Sequence, residues 1–418
     1  MRPSSSSRRT FLSQLGLTAA SSAMIGGDVV RASNRADPKR EMRPTGADLG
    51  SLFAEVDRIA GTPSYAYSFL SGRFRDLPEF VKTARGKIFE LLRYQPAKVD
   101  PRPEMVERSD DGEYIREKIL FSTALEVRVP AYVLIPKKLQ GKAPGILDLH
   151  SHGGMFLFGK EKVLDLGDYH PALTEYQQRN YDGQPTSTAL VRRGYVVLTI
   201  DALGFGERRA VLDRDLRLGW DRAKYSREDV TLLNEHCRAK EATLAKALIL
   251  AGLNWPGVVF WDDIRSLDYL LTRPEVDPNR IGCLGVSMGG YRALFLAALD
   301  ERIAAACVTG FMSTVRSMLR AHLDIHSWVH YLPGMHQYLD WPDVAVLTAP
   351  RPLLVQQCVR DELFPQKAMK EAVEKIAAGY TKAGVKDRFS GRFYDVPHRF
   401  SRAMQNEAFA WMDRRLKG

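Results

Sequence analysis

Residues Arg280–Gly290 read RIGCLGVSMGG, a short apolar run ending at a serine set among glycines, and the helix-prone YRALFLAALD follows at once. Glycine adopts backbone angles that other residues resist, so such a stretch can be an ordinary turn. It can also be a sharp strand-to-helix elbow that presents a serine hydroxyl at its apex. The spacing Gly285-x-Ser287-x-Gly289 fits the elbow, and Gly290 leaves further room for close packing. The rest of the chain decides between the two.

Apolar runs recur on both sides of this stretch: GILDLH, YVVLTID, RIGCLGV, RIAAACVTG, RPLLVQQC and RFYDVP, with helical stretches between most of them. That alternation predicts a mostly parallel sheet covered by helices on both faces. Ahead of them, EYIREKILFSTALEVRVPAYVLIP alternates and is rich in Ile, Val and Leu, which predicts two antiparallel edge strands. Ligands of an open sheet sit outside the carboxyl ends of its strands. The residues there are the His150-Ser151-His152-Gly153-Gly154 turn, ALGFGERR, Ser287, VRDELFP with Asp361, and finally His398.

A serine, an acid and a histidine thus arrive in that order on one rim. A serine hydroxyl is a weak nucleophile near neutral pH and needs a base within hydrogen-bond reach, with an acid holding that base in the right tautomer. Histidine suits the base role because its ordinary pKa is about 6.5.

The segments HSHGG, DALGFGER, WDDIRSLDYLLTRPEVDPNRIGCLGVSMGGYRALFLAALDERI, APRPLLVQQCVRDELFP and DVPHRF carry a family resemblance over residues 113–418. The sequence resembles the α/β-hydrolases, and among them the dienelactone-hydrolase-like and acetyl xylan esterase-like exported bacterial hydrolases. The resemblance implies an α/β-hydrolase fold with a mostly parallel eight-stranded sheet. It implies Ser287 as nucleophile, His398 as general base and acid, and Asp361 as the orienting acid, with Glu362 and Asp395 as rivals for that place. An oxyanion hole needs two backbone donors. Met288 N–H is the first, and Gly153 is chosen as the second over His152 and Gly154. Many relatives have glycine where this chain has Ser151. His150 and His152 are read as shaping the loop rather than binding metal, and no cofactor or metal is expected.

Between the sixth and seventh strands, His322, His326 and His330 are spaced i, i+4, i+8. On a helix this would line up three imidazoles, a spacing that could chelate zinc, but a pocket wall is the favoured reading. Trp328, Tyr331 and Trp341 are candidates for stacking on a sugar or alcohol group, or for the core.

Domain organisation follows from composition. Of the 418 residues, 45% are hydrophobic and 26% charged, as in a globular protein with a sizeable core. Residues 1–32 include SSSSRRTFLSQLGLTAASSAMIGG, which resembles a twin-arginine export signal, with cleavage after Ala23 or Ala32. Residues 33–111 are read as a linker and helical extension, with patches such as LPEFVKTARGKIFELLRY, and residues 112–418 as the catalytic domain. Half of the net charge of +10 falls within the first 43 residues, and no basic block interleaved with aromatics marks a nucleic-acid surface. No window reaches the ~18 apolar residues of a stable membrane span.

Cys237, Cys283, Cys307 and Cys358 are expected to be free. The last three fall in apolar strands, where a thiol acts as a small hydrophobe, and twin-arginine export carries proteins already folded. These readings converge on a periplasmic or extracellular serine hydrolase. It would cleave carboxylic esters through an acyl-enzyme, with an esterified carbohydrate such as acetylated xylan as the substrate the resemblance implies. The alternatives are a serine peptidase of the oligopeptidase type, lowered by the lack of a propeller repeat, and a non-catalytic binding protein on the same fold.

Overall fold

All six apolar runs form strands in the computed structural model, which describes residues 45–60, 65–211, 213–219 and 221–418. The expected export signal and its cleavage positions lie outside the described residues. In chain order the strands are β1 (Glu104–Asp110), β2 (Tyr114–Ala124), β3 (Val127–Pro136), β4 (Ala143–Leu149), β5 (Val196–Ile200), β6 (Val276–Val286), β7 (Ala305–Thr309), β8 (Leu353–Cys358) and β9 (Phe389–Tyr394). They form one sheet in the order β1-β2-β3-β5-β4-β6-β7-β8-β9. The pairings from β5 to β9 are parallel, while β1 to β3 and the β3–β5 junction are antiparallel. Strands β4, β5, β7 and β8 are buried at every position, which is why they read as unbroken apolar runs.

The sheet has nine strands rather than the expected eight. The additional one, β1, lies in EMVERSD and is exposed along almost its whole length, so it carries no alternation to read. Its charged side chains suit an edge, where they discourage pairing with another chain. The antiparallel pair read from the sequence is β2 and β3, but the outer edge belongs to β1.

The helix Leu77–Leu92 realises the expected helical extension. Asp76 caps it by accepting from Glu79 N at 2.9 Å, and Pro78 sits in the first turn, where its missing N–H costs nothing. Phe80, Ala84, Ile88 and Leu92, four residues apart, form its buried stripe. Arg85 Nε donates to Ala298 O at 2.8 Å and Asn254 Nδ2 to Leu91 O at 2.8 Å, tying the helix to the catalytic part. One apolar cluster joins this helix with Trp255–Leu270 and Met288–Leu299, and a second covers Pro171–Tyr181 and Arg402–Leu416. The four cysteines are free and buried. Among the described residues no single helix is long and apolar enough to cross a membrane.

Candidate active site

Ser287 stands between β6 and the helix Met288–Leu299 with φ 61° and ψ −124°. A non-glycine residue held at such angles is strained, and strain of this kind persists only where the surroundings over-determine it. Here Ser287 N donates to Thr309 O at 2.9 Å, and Tyr291 N donates to Ser287 O at 2.9 Å. The flanking glycines are steric requirements. A Cβ at Gly289 would lie 1.8 Å from Leu149 O, and one at Gly285 would lie 2.5 Å from the same oxygen. The turn can therefore be this tight only because neither position has a side chain.

His398 Nδ1 lies 2.5 Å from Asp361 Oδ2, and the Asp361 side chain is 1% exposed. The other Asp361 oxygen accepts from Leu363 N at 2.9 Å. A carboxylate facing Nδ1 places the proton there and leaves Nε2 as the basic nitrogen. Of the two rivals, Glu362 is exposed, and Asp395 is 83% exposed and paired with Arg360 Nε at 2.9 Å. Ser287, His398, Ser151, Gly153 and Asn180 line one small cleft. Met288, next to the serine, begins the helix whose first-turn N–H groups lack intrahelical partners.

Hydrogen bonds fix the HSHGG turn opposite the serine. Ala202 N donates to His150 Nε2 at 3.2 Å, so Nδ1 carries the proton and donates to Ser151 O at 3.0 Å. Gly154 N donates to His152 Nδ1 at 3.0 Å, so Nε2 donates to Glu241 Oε1 at 3.1 Å. Both histidines are thus committed to holding the turn. Ser151 Oγ bonds Tyr176 Oη at 2.6 Å and Tyr181 Oη at 2.9 Å. Gly153 has φ +53°, and a Cβ there would meet Tyr176 Oη at 2.3 Å.

Beneath the turn lies a set of ions, buried except for Glu207, that the sequence reading missed. Lys160 Nζ donates to Glu161 at 3.0 Å, Asp201 at 2.8 Å and Glu207 at 2.7 Å. These three carboxylates are close enough together to hold a metal ion, yet the three-donor ammonium already occupies the place between them. Burial opposes the charge on Lys160, but the carboxylates outweigh it and hold the group above its ordinary pKa. Asp201 also accepts from Lys160 N and Glu207 N, which fastens the segment after β4 to the segment after β5. The available signal was the charged run GKEK together with the DALGFGERR segment.

The histidine row departs from the helical expectation. Residues 319–327 run as successive turns and bends, with Ser327 capping the short turn Trp328–His330, so the three imidazoles share no helical face. His326 Nδ1 bonds His322 O at 2.8 Å, and His330 stacks on Phe311 with ring centres 5.4 Å apart. Burial keeps His330 well below the ordinary histidine pKa. Trp341 is buried against Phe311 and belongs to the core, whereas Trp328 and Tyr331 stay exposed.

The model of the Abhydrolase family matches residues 60–374. The chain belongs to the Abhydrolase family. The match includes Ser287 and Asp361, and His398 lies past its end. YtaP of Bacillus subtilis strain 168, a hydrolase by name, is 30% identical over 308 residues, covering 72% of this chain and 89% of YtaP. A Bacteroides fragilis structure bearing the name acetyl xylan esterase superposes with a TM-score of 0.61 at 20% identity, covering 82% of each chain. The glucuronoyl esterase from Solibacter usitatus superposes with a TM-score of 0.56 at 15% identity, covering 84% of this chain and 96% of that one. At these identities the structures speak for the fold, which is the α/β-hydrolase fold that the motifs implied.

Proposed function

We propose that this Abhydrolase family member is an exported serine esterase working through an acyl-enzyme. The observation that carries the reading is the meeting in one cleft of a strained elbow serine and a histidine paired to a buried carboxylate. Ser287 Oγ attacks the ester carbonyl carbon while His398 Nε2 takes its proton. The charge that develops on the carbonyl oxygen is met by Met288 N–H and a donor of the HSHGG turn. Collapse breaks the bond to the alkoxy oxygen, which leaves with the proton from His398. Water then attacks the acyl-Ser287 carbonyl with His398 again as base, releasing the acid and restoring the hydroxyl.

Two structural neighbours carry carbohydrate-esterase names, which supports an esterified carbohydrate as substrate. Export by the twin-arginine route rests on Arg8 and Arg9 before a mildly apolar stretch and on the four free cysteines.

The test is a panel of acetyl, longer acyl, uronate methyl ester, lactone and peptide substrates, run with wild type and Ser287→Ala. Acetyl esters should be turned over by the wild type and not by the variant. A peptide preferred over every ester would overturn the substrate class. Unimpaired export of a variant with lysines at positions 8 and 9 would overturn the route.

A further inference from the structure

Lys162, two residues beyond the lysine that joins three carboxylates, has no carboxylate partner among the described residues. Its side chain is fully buried, and Nζ donates to Ser151 O at 2.8 Å and to His152 O at 3.0 Å. Aromatic rings flank the amine, with the Phe205 ring centre 4.6 Å and the Tyr176 ring centre 5.3 Å from Nζ. Burial pulls Lys162 well below the ordinary lysine pKa, and Asp201 and Glu161 only partly offset it. A buried amine costs more than a methionine of the same length would. What the amine adds is a second hold on two carbonyl oxygens, beside His150 Nδ1 on Ser151 O at 3.0 Å and Met155 N on His152 O at 3.3 Å.

Those two carbonyls have a geometric consequence. A peptide unit is planar and trans, so its C=O and N–H point in opposite directions. The Ser151 carbonyl shares a peptide with the His152 N–H, and the His152 carbonyl shares one with the Gly153 N–H. Elsewhere in the turn, Ser151 N donates to Tyr181 Oη at 3.2 Å and Gly154 N donates to His152 Nδ1 at 3.0 Å. Among the described residues no protein group takes the N–H of His152 or Gly153, and Gly153 lines the cleft with Ser287.

We propose that Lys162 is a positioning residue for the oxyanion hole, gripping from behind the two peptides whose N–H groups, those of His152 and Gly153, face the substrate oxygen. The inference rests on the serine-esterase reading and deepens it. Donors fixed before the reaction need no reorganisation as charge develops, and losing one such donor typically slows turnover by about 10²–10³. Lys162 touches neither substrate nor Ser287. It acts through the turn.

The test is Lys162→Met, which keeps length and bulk and removes the donors. Active sites are counted with a fluorophosphonate, and kcat and KM are then expressed per titrated site. A trifluoromethyl ketone, whose adduct with serine carries an oxyanion, reports on the hole itself. Per-site kcat should fall about 100-fold, with KM within about threefold and ketone affinity weakened in parallel with kcat/KM. A purely structural role would lower the titrated fraction and leave per-site kcat within about threefold, and that result overturns the inference.

Should Lys162→Met not fold, wild-type enzyme labelled with ¹⁵N-histidine and ¹⁵N-glycine serves instead. The ketone should move the His152 or Gly153 amide proton downfield, and an unchanged pair overturns the proposal. Ser287→Ala, run in parallel, separates the two ideas. Activity surviving in that variant overturns the serine-esterase reading, whereas a dead Ser287→Ala beside an unimpaired Lys162→Met overturns only the role of Lys162.

Discussion

On one side of Ser287, a single buried carboxylate steers a histidine that is 21% exposed. On the other side, the HSHGG turn rests on Lys162, two histidines in fixed tautomers, two tyrosine hydroxyls and a buried set of ions around Lys160. The contrast suits the role proposed for each side. A histidine that accepts and returns protons needs contact with solvent and one well-placed orienting partner. A turn that stabilises developing charge must already be in place, because any reorganisation during the reaction reduces its benefit.

Removing the one partner on the histidine side should have the largest effect. Asp361→Asn takes away the charge that stabilises protonated His398 and can leave the ring in the wrong tautomer. Turnover should fall by up to about 10⁴. Glu362→Gln and Asp395→Asn, which alter exposed side chains, should stay within about fivefold of wild type, the upper scale of an exposed-pair change of about 0.2–1 kcal/mol. Steady-state kinetics on one ester checks all three. A collapse in either control, with Asp361→Asn near wild type, would move the acid to that rival.

The ions around Lys160, unlike Lys162, should fail through stability rather than chemistry. Lys160→Met leaves Glu161 and Asp201 buried without their shared ammonium. Breaking a buried ion pair in this way costs about 3–5 kcal/mol, which denaturant unfolding would read as a lowered midpoint. An unchanged midpoint would mean that the ions do not hold the turn.

A smaller effect is expected beneath β4. Burial raises Asp148 to about 6 from 3.8, although the hydroxyls of Thr186 and Ser187 pull the other way. The folded state therefore holds this proton more tightly than the unfolded chain. Its contribution to stability is full below pH 3.8 and declines as pH rises through about 6. At roughly 1.4 kcal/mol per pKa unit the loss is on the order of 3 kcal/mol. Asp148→Asn should flatten the pH dependence of unfolding free energy between about pH 4 and 7, and an unaltered slope would place the proton elsewhere.

The parts legible in the sequence are those where one local requirement dominates. Gly285 and Gly289 leave no room for a side chain against Leu149 O, so the elbow declares itself in its spacing. Strands β6, β8 and β9 are followed by Ser287, Asp361 and His398, so the order of these candidates could be read before the sheet was seen. Strand β1 gave no signal because its side chains are exposed on both faces. The three histidines form no common face because regular spacing implies one only where a helix forms, and Ser327 starts a separate short turn there. Lys160, Glu161 and Lys162 look like a solvated run in FGKEKV. Only the fold shows that all three are buried, each against partners distant or adjacent in the chain.

The central claim, that the elbow, histidine and acid activate one serine, is tested most directly by labelling active enzyme with a fluorophosphonate and locating the adduct by peptide mass spectrometry. Stoichiometric modification of Ser287 is expected, with activity lost in proportion, and no rapid labelling in His398→Ala. An adduct on another serine that accounts for the lost activity, or active enzyme that takes no label, would contradict it.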